Sequence, residues 1–518
     1  MVKIYVAVKS CFLNGIEGQV ITVETDISMG VPYFEIVGLP DASVREAKGR
    51  VRAAINNSGF DFLPRRITIN LSPSNVPKGG SQLDLAIAIS ILKATGQIQS
   101  FLGDEKTVYI GELSLDGKVK RVDGLLSMGL VLSEQGYENV VFPKDNLKEI
   151  NILNQKLNLY PVESINQVKA VVQGLEESPV TNGIGWNVEA RAPIEVCLDF
   201  GDVKGQWMAK RALEIAVAGK HNVLMMGPPG TGKSMLAKRM PSIMPDLDLE
   251  EALEVTKIYS ASGVLNRATE MGLVTWPPVR TPHHSTTEAA LIGGGRIPQP
   301  GEISLAHKGV LILDELAEFN PRVLDLLRQP LEDGQVVICR SQGRCVFPSE
   351  FLLVATSNPC PCGYHGTPEK ECTCSVNQVQ NYQSKISGAL WDRIDLQVEV
   401  PLLKYEELAS GLEAESSTDI KERVLQAREI QAQRFNNSGK LNALMSIKEL
   451  KRYCTMENDA QKLLERLFNT FNFSARGYDK ILKLSRTMAD LESREVISVS
   501  DIAEASAYRG MDRKNCFD

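Results

Sequence analysis

The sequence has no long apolar run, no excess of positive charge and no low-complexity tract. Its most apolar stretch, residues 83–92 (LDLAIAISIL), contains Asp84 and is too short to cross a bilayer. Lys3 and Lys9 interrupt the apolar residues at the amino terminus, which makes a poor secretory signal. We therefore expect a cytoplasmic protein with no membrane partner. There, the ten cysteines are expected to be core residues, free thiols or metal ligands rather than disulfides.

The net charge of −7 excludes a protein that is enveloped in positive potential. Any contact with nucleic acid must come from a local basic patch or from a ring of repeated subunits. The sequence also carries no helix-turn-helix, no RNA-recognition signature and no basic tail. Because 518 residues are too many for one core, we expect two to four domains.

The chain divides into four stretches of different pattern. Residues 1–174 alternate strand and helix signals, and 175–193 form an aperiodic linker. Residues 194–401 return to α/β patterns, whereas 402–518 carry helical patterns alone. In the first stretch, strands are predicted near 4–8, 19–27, 66–71 and 139–142, helices near 41–59, 82–95 and 164–173, and a hairpin near 111–122. In the last stretch, helices are predicted near 416–435, 457–472, 477–493 and 499–508.

A phosphate-binding loop follows an apolar strand that begins at residue 222. Its eight residues fit the pattern G-x4-G-K-[ST]: Gly227, Pro228, Pro229, Gly230, Thr231, Gly232, Lys233 and Ser234. The glycines let backbone N–H groups converge on phosphate oxygens at a helix N-terminus, where the helix dipole favours anions. Lys233 is expected to pair with the β- and γ-phosphates of ATP, and Ser234 to ligate Mg²⁺.

Two acids follow a second buried strand, within residues 309–319 (GVLILDELAEF). Asp314 and Glu315 stand at its carboxyl end, where open α/β sheets bind ligands. Asp314 is expected to hold Mg²⁺ through water, and Glu315 to polarise the attacking water. Acidic residues at the end of a strand are commonly ordinary surface residues. Here the phosphate loop in the same chain favours the catalytic interpretation.

A third buried strand, in residues 351–359, ends at Asn358, which can orient the attacking water or sense the γ-phosphate. Arg393 lies in a short turn before a fourth strand. It forms either a structural ion pair or, in a ring, a finger that is offered to the γ-phosphate of a neighbouring subunit.

These motifs, in this order and with a helical tail, resemble those of AAA+ ATPases. Further stretches are similar to the magnesium-chelatase-like YifB/ComM family over essentially the whole chain. They are 199–216 (DFGDVKGQWMAKRALEIA), 281–295 (TPHHSTTEAALIGGG), 298–315, 327–334 and 474–491. The resemblance implies an α/β P-loop core with a helical lid. It also implies that residues near 199–206, Val203 among them, pack on the adenine, and that Arg476 is the sensor-2 arginine.

The family's N-terminal domain is an α+β domain that looks like the proteolytic domain of Lon, of ribosomal-S5 type. Residues 77–85 (PKGGSQLDL) align with the stretch that carries Lon's nucleophilic serine, and Gln82 stands at that position. The lysine-bearing motif aligns with 123–129 (DGLLSMG), which has no lysine. Ser81 lies one residue away and would lack a base. We therefore expect a non-catalytic binding or assembly domain.

Residues 334–349 (GQVVICRSQGRCVFPS) alternate in strand fashion around Ser-Gln-Gly, which predicts a β-hairpin. The family inserts such a hairpin before sensor 1, and another segment at about 262–300. In ring ATPases the hairpin points at the central pore. Arg340 and Arg344 flank its tip, and six copies would place about twelve positive charges along a pore, enough to follow a DNA backbone. The alternative is a solvated hairpin with two arginines.

A cysteine-rich insertion, residues 360–374, separates the sensor asparagine from the arginine finger. Its thiols belong to Cys360, Cys362, Cys372 and Cys374, in the spacing C-x-C-x9-C-x-C. Four thiolates suit a tetrahedral structural Zn²⁺, although each pair has one intervening residue instead of two to four. That spacing leaves His365 as a substitute ligand, and free thiols or a redox switch as alternatives. A loop this short has no core of its own, so a metal would give it shape.

Three functions fit these motifs. The resemblance implies a homo-hexameric DNA helicase that promotes branch migration during recombination of incoming DNA, as in natural transformation. The second function is remodelling of proteins or metal insertion, as in the chelatases that share the ATPase core. The third is a regulatory ATPase whose Lon-like domain binds protein partners. The hairpin arginines and the family resemblance favour the first.

Overall fold

The computed structural model describes residues 5–99, 102–175, 198–265, 272–295, 298–340, 343–368, 370–403, 415–437, 439–471 and 473–510. The predicted linker, apart from its first residue, lies outside the described residues. Within the described ranges, no helix combines the length and the apolar character that crossing a membrane requires.

The amino-terminal unit is built on a seven-stranded mixed sheet. The strands of this unit, of which β6 and β7 lie outside the sheet, are β1 (Tyr5–Asn14), β2 (Glu17–Ser28), β3 (Tyr33–Val37), β4 (Arg66–Ser72), β5 (Thr107–Tyr109), β6 (Glu112–Leu113), β7 (Val119–Lys120), β8 (Asn139–Pro143) and β9 (Asn158–Val162). The sheet order is β3-β4-β2-β1-β5-β8-β9, and β6 pairs with β7 as the predicted hairpin. The other predicted strands are confirmed. β3, β5 and β9 are strands that the sequence pattern did not predict.

The helices of this unit confirm the three that were expected and add two. They are α1 (Ala42–Asn57), α2 (Asp84–Ala94), α3 (Leu125–Glu134), α4 (Leu147–Ile150) and α5 (Ile165–Val172). α1 begins at Asp41, whose carboxylate accepts a hydrogen bond from the N–H of Val44. α2 is buried along its whole length because it packs against β1, β2 and α1, which accounts for its continuous apolar sequence.

The second unit contains an all-parallel five-stranded sheet, ordered β11-β14-β17-β10-β18. The strands are β10 (Val223–Met226), β11 (Val279–Arg280), β12 (Gly293–Gly294), β13 (Gln299–Pro300), β14 (Val310–Leu313), β15 (Gln335–Arg340), β16 (Gly343–Pro348), β17 (Leu352–Ser357) and β18 (Leu396–Glu399). β12 pairs with β13, and β15 with β16, in antiparallel hairpins outside this sheet. The predicted α/β P-loop fold and the predicted hairpin are confirmed.

The helices around this sheet are α6 (Trp207–Gly219), α7 (Lys233–Arg239), α8 (Leu249–Ala261), α9 (Glu288–Ile292), α10 (Glu302–Leu305), α11 (Pro321–Asp325), α12 (Arg328–Asp333), α13 (Val376–Gln383) and α14 (Gly388–Trp391). The carboxyl-terminal helices are α15 (Ser417–Phe435), α16 (Ile447–Tyr453), α17 (Asn458–Phe471), α18 (Ala475–Leu491) and α19 (Val499–Ala507). All four predicted helices of this part are confirmed, and α16 is additional. α15 and α18 pack on α6, so the helical lid shares one apolar core with the sheet.

The two units are joined by packing and hydrogen bonds. α3 packs against α8, and the N–H of Gly124 donates to the carbonyl of Ser260 at 3.1 Å. The hydroxyl of Ser260 donates to the buried carboxylate of Glu149. A second contact lies on strand β16 of the β15–β16 hairpin, where Cys345 Sγ would lie 3.6 Å from a Cβ placed on Gly15, in the β1–β2 turn. The amino-terminal unit therefore touches both α8 and the hairpin.

Candidate nucleotide site

The carboxyl ends of β10, β14 and β17 meet at one edge of the parallel sheet. The phosphate loop follows β10 and leads into α7, while Asp314 follows β14 and Asn358 follows β17. Asn358 Oδ1 accepts a hydrogen bond from Lys233 Nζ at 3.3 Å. The hydroxyl of Ser234 lies 2.8 Å from each carboxylate oxygen of Asp314. The structure thus brings together four residues that three separate sequence motifs supply.

Lys233 is folded back onto the loop that precedes it. Its ammonium group donates to the carbonyls of Gly227 and Pro228 at 2.7 and 2.8 Å. Burial lowers the pKa of Lys233, and the nearby carboxylates of Asp314 and Glu315 oppose this shift. The ammonium can therefore exchange its bonds to carbonyls for bonds to phosphate oxygens without leaving the site.

Thr356 joins the two acids at the end of β14. Its hydroxyl donates to Asp314 Oδ1 and accepts a hydrogen bond from the N–H of Glu315 at 3.1 Å. Glu315 has a φ of 55°, in the left-handed region, which is uncommon for a non-glycine residue. Sequence reasoning missed Thr356, although a hydroxyl near the end of the apolar β17, two residues before Asn358, was a usable signal.

The segment 199–206 lies against the phosphate loop. Val203 is buried, and its carbonyl accepts a hydrogen bond from the ammonium of Lys210. The side-chain amide of Gln206 donates to the carbonyls of Thr231 and Pro401, at 3.3 and 2.8 Å. This position is compatible with the expected adenine contact, which stays a prediction. Gln206 belongs to the predicted segment, but its partner Pro401 lies far along the chain, and nothing in the sequence indicated this contact.

The two candidate arginines lie on neighbouring segments. Arg393 is ion-paired with Glu332 of α12. Arg476 is largely exposed, and its Nη1 lies 3.4 Å from the carboxylate of Asp392, the residue before Arg393. Lys480 donates to the carbonyl of Ile394 at 2.9 Å and so fixes the first turns of α18 beside this segment.

The four cysteines form one cluster. Cys360 Sγ lies 3.3 Å from Cys362 Sγ and 3.7 Å from Cys372 Sγ, and the last two are 3.5 Å apart. All four Sγ atoms, that of Cys374 included, lie within 4.8 Å of one another. A tetrahedron with metal–sulfur distances of 2.3 Å has edges of about 3.8 Å. The cluster therefore has the donor type and the size of a tetrathiolate metal site.

Backbone groups support the negative charge that such a site requires. The N–H of His365 donates to Cys360 Sγ at 3.3 Å, and the N–H of Cys362 donates to Cys374 Sγ at 3.4 Å. Hydrogen bonds to ligating atoms are the usual outer support of a metal site. His365 thus serves the cluster through its backbone, while the four thiols supply a complete tetrahedral set.

The β15–β16 hairpin pairs Cys339 with Arg344 across its two antiparallel strands. Arg344 is exposed and borders a cleft of about 830 Å³ between the hairpin and the amino-terminal unit. Arg340 ends β15, but its side chain and the hairpin tip at 341–342 lie outside the described residues.

The cleft also contains the positions that align with the Lon active site. The hydroxyl of Ser81 donates to the carboxylate of Glu112, and the side-chain amide of Gln82 donates to the carbonyl of Gly79 at 3.0 Å. A serine–lysine dyad needs an amine at the serine hydroxyl. Ser81 has a carboxylate there instead, and the non-catalytic role of this unit stays a prediction.

Family comparisons match successive parts of the chain. Residues 23–146 match the family described as subunit ChlI of Mg-chelatase, 199–408 match magnesium chelatase, subunit ChlI, and 414–509 match its C-terminal family. Competence protein ComM of Haemophilus influenzae is 40% identical over 504 residues, which cover 96% of each chain. This chain belongs to the YifB/ComM family.

A second member of the YifB/ComM family, uncharacterized protein YifB of Escherichia coli, is 40% identical over 503 residues and 96% of each chain. The magnesium-chelatase 67 kDa subunit of Chlorobaculum tepidum is 29% identical over 164 residues, 31% of this chain and 23% of that protein. The family is thus magnesium-chelatase-like and AAA+. This chain matches that chelatase subunit over only part of its own length.

Proposed function

We propose that this protein is an ATP-driven motor that acts on DNA as a ring, a hexameric helicase that promotes branch migration in recombination of incoming DNA. The observation that carries the ATPase part is the pairing of Lys233 with Asn358 and of Ser234 with Asp314 at one sheet edge. Likeness over 96% of the chain to a competence protein supports the DNA part.

In this proposal, each residue of the site has one task. Lys233 neutralises the β- and γ-phosphates of ATP, and Ser234 and Asp314 hold Mg²⁺. Mg²⁺ supplies charge neutralisation at the phosphates. Glu315 polarises the attacking water, which Asn358 orients. Thr356 positions both acids, because its hydroxyl bonds to one of them and to the backbone of the other.

Arg393 and Arg476 supply the argument for a ring. Lys233 is bonded to its own loop and to Asn358, whereas the two arginines lie beside Asp392 and Glu332. Each arginine is paired with a carboxylate of its own chain, and in a ring it can exchange that partner for the γ-phosphate of a neighbouring subunit. Arg393 therefore acts as the finger, and Arg476 acts beside it at the same subunit interface.

DNA would be held by the β15–β16 hairpins. Arg344 is exposed, next to the tip that Arg340 and Gly343 flank on the two strands. A ring brings several such hairpins together, which gives a local basic surface to a chain whose net charge is −7.

The cysteine cluster is proposed to hold a structural Zn²⁺. Its support is the set of three Sγ–Sγ distances near the tetrahedral edge, together with the backbone N–H groups of His365 and Cys362. Bound metal would supply the cross-link that a segment without its own core lacks. Elemental analysis of the wild-type protein and of the Cys372→Ser/Cys374→Ser variant tests this, and metal content near zero in the wild type would refute it.

The motor proposal is tested by measuring ATP turnover with and without single-stranded and forked DNA, and then strand and branch displacement. Lys233→Ala should abolish turnover and displacement. Arg340→Ala/Arg344→Ala should retain basal turnover and lose both DNA stimulation and displacement. If DNA neither stimulates turnover nor is displaced by the wild-type protein, the DNA function is wrong while the ATPase assignment stands.

A second candidate is remodelling of polypeptides, as a chelatase-like or regulatory ATPase. The specific observation in its favour is the cleft that Arg344 borders, because Lys78, Glu112 and Asp123 give it mixed charge rather than a basic lining. Turnover that is stimulated by unfolded polypeptide and not by DNA would support this candidate.

A further inference from the structure

The cysteine segment lies directly against the phosphate loop. Gly363 has a φ of 87°, and a Cβ on it would lie 2.6 Å from Cδ and 3.2 Å from Cγ of Pro229. Non-bonded carbon atoms are at their optimum near 3.5–4.0 Å, so this position has no room for a side chain. Both the backbone conformation and the proximity of Pro229 therefore require glycine at 363.

The other end of the segment is continuous with Asn358. The carbonyl of Pro359 accepts a hydrogen bond from the side-chain amide of Gln383 at 3.1 Å, which ties the start of the segment to α13. Cys360 follows and is fully buried, and its carbonyl accepts from the N–H of Gly363 at 2.9 Å. One tight turn thus connects the asparagine at the γ-phosphate position to the residue that touches Pro229.

The same segment forms one wall of a large cavity beside the phosphate loop. His365 and Pro368 border this space of about 1170 Å³, together with Gly227, Pro228 and Asn358. Of the four cysteines in the segment, Cys360 is buried and the other three are partly exposed. Its shape therefore depends on the thiol cluster rather than on apolar packing.

We propose that the metal-bound cysteine cluster holds Pro229 and Asn358 where ATP binding requires them, so that nucleotide affinity depends on metal occupancy. This inference rests on the proposed zinc site. The cysteines and Gly363 are positioning residues, since they act on the nucleotide through Pro229 and Asn358. When the metal is lost, the turn between Cys360 and Gly363 loses its cross-link, and the phosphate loop loses the support that fixes Pro229.

The chain provides a matched pair of glycines to test the contact. Gly363 and Gly366 both have positive φ values, 87° and 76°, but a Cβ on Gly366 would have no atom within 4 Å. Gly363→Ala should weaken binding of a fluorescent ATP analogue about tenfold, while Gly366→Ala, which carries the same backbone strain, should stay within about twofold of wild type. A double-mutant cycle with Pro229→Ala should show coupling, because removing the ring relieves the clash.

Metal dependence is measured on the same full-length protein. Removing the metal with a chelator, or through Cys372→Ser/Cys374→Ser, should weaken nucleotide binding about tenfold, and added Zn²⁺ should restore it in the wild type alone. Metal content and circular dichroism of each variant show whether Gly363→Ala keeps its metal and its fold.

Equal affinity with and without metal would overturn the inference, as would equal effects of the two glycine variants. A metal-free wild type that binds ATP normally would overturn it together with the zinc site. Nucleotide binding is measured without DNA. None of these results therefore bears on the proposed DNA function, which the displacement assay tests separately.

Discussion

The guanidinium of Arg393 is ion-paired with the carboxylate of Glu332 within its own chain. An arginine that serves a neighbouring subunit must leave this partner to reach a phosphate. Because Arg393 is 15% exposed and Glu332 is 53% exposed, the pair lies near the surface and is expected to be weak. In the proposed ring, Glu332 would therefore compete modestly with the γ-phosphate of the neighbouring subunit for Arg393.

Glu332→Ala should raise ATP turnover of the assembled protein by roughly two- to fivefold, since a pair worth up to ~1 kcal/mol no longer holds the finger. Steady-state turnover at saturating ATP measures this. Asp325→Ala is the control, because it removes an ion pair with Arg328 in which Arg393 takes no part. A fall in turnover for Glu332→Ala would mean that the pair positions Arg393 rather than restraining it.

Mixing subunits should show where Arg476 acts. Lys233→Ala subunits lack a working phosphate loop, and Arg476→Ala subunits lack the arginine. If Arg476 serves the neighbour, mixed rings regain turnover, because a Lys233→Ala subunit can offer its Arg476 to the intact pocket beside it. Turnover that stays at the level of the separate variants would instead assign Arg476 to its own pocket.

Thr356→Val should lower turnover roughly 10- to 100-fold and leave ATP affinity near wild type, because the hydroxyl bonds to the two acids and not to the phosphate loop. Thr356→Ser keeps the hydroxyl and should retain most of the turnover. Parallel measurements of turnover and of nucleotide binding decide the point. A loss of binding equal to the loss of turnover would show that Thr356 shapes the whole pocket.

Glu350→Gln should reduce stability near neutral pH. Glu350 Oε2 lies 3.1 Å from the ammonium groups of both Lys220, which follows α6, and Lys308, which precedes β14. Burial alone would raise the pKa of Glu350, but the two ammonium groups outweigh it and lower the pKa to about 2. The substitution removes the carboxylate and leaves two lysines facing each other, and the thermal midpoint should fall by about 2–4 °C.

The same lowered pKa gives the effect a pH dependence. The stabilisation by Glu350 is fully present above its unfolded-state pKa, near 4.3, and is lost as the pH falls toward 2. The difference in thermal midpoint between wild type and Glu350→Gln should therefore be constant from pH 7 to pH 6 and shrink below pH 5. Glu138→Gln, which breaks an exposed pair with Lys106, should change the midpoint little at any of these pH values.

The sequence predicts the parts of this site that are encoded in contiguous residues. The phosphate loop, the acids after β14 and the asparagine after β17 each follow an apolar strand, and the rule for parallel sheets places the ends of those strands at one edge. The hairpin and the long carboxyl-terminal helices are predicted for the same reason, since their periodicity is local. β5 and α16, with three and seven residues, are too short to show a period.

Contacts between distant segments could not be predicted in this way. Gln206 reaches Pro401, and Arg393 pairs with Glu332, although nothing in either segment's own pattern indicates its partner. Gly363 is a further case. In the sequence it is one glycine of a turn, and only the fold shows that Pro229 leaves it no space.

The contact between the β15–β16 hairpin and the β1–β2 turn has a mechanical consequence. Cys345 is buried where Gly15 approaches it, so the hairpin is in direct contact with a turn of the seven-stranded sheet. In the proposed ring, a DNA strand that pulls on a hairpin would transmit force to that sheet, because the hairpin would press on the turn as it tilts. The amino-terminal unit would then be the fixed support against which each hairpin moves the DNA.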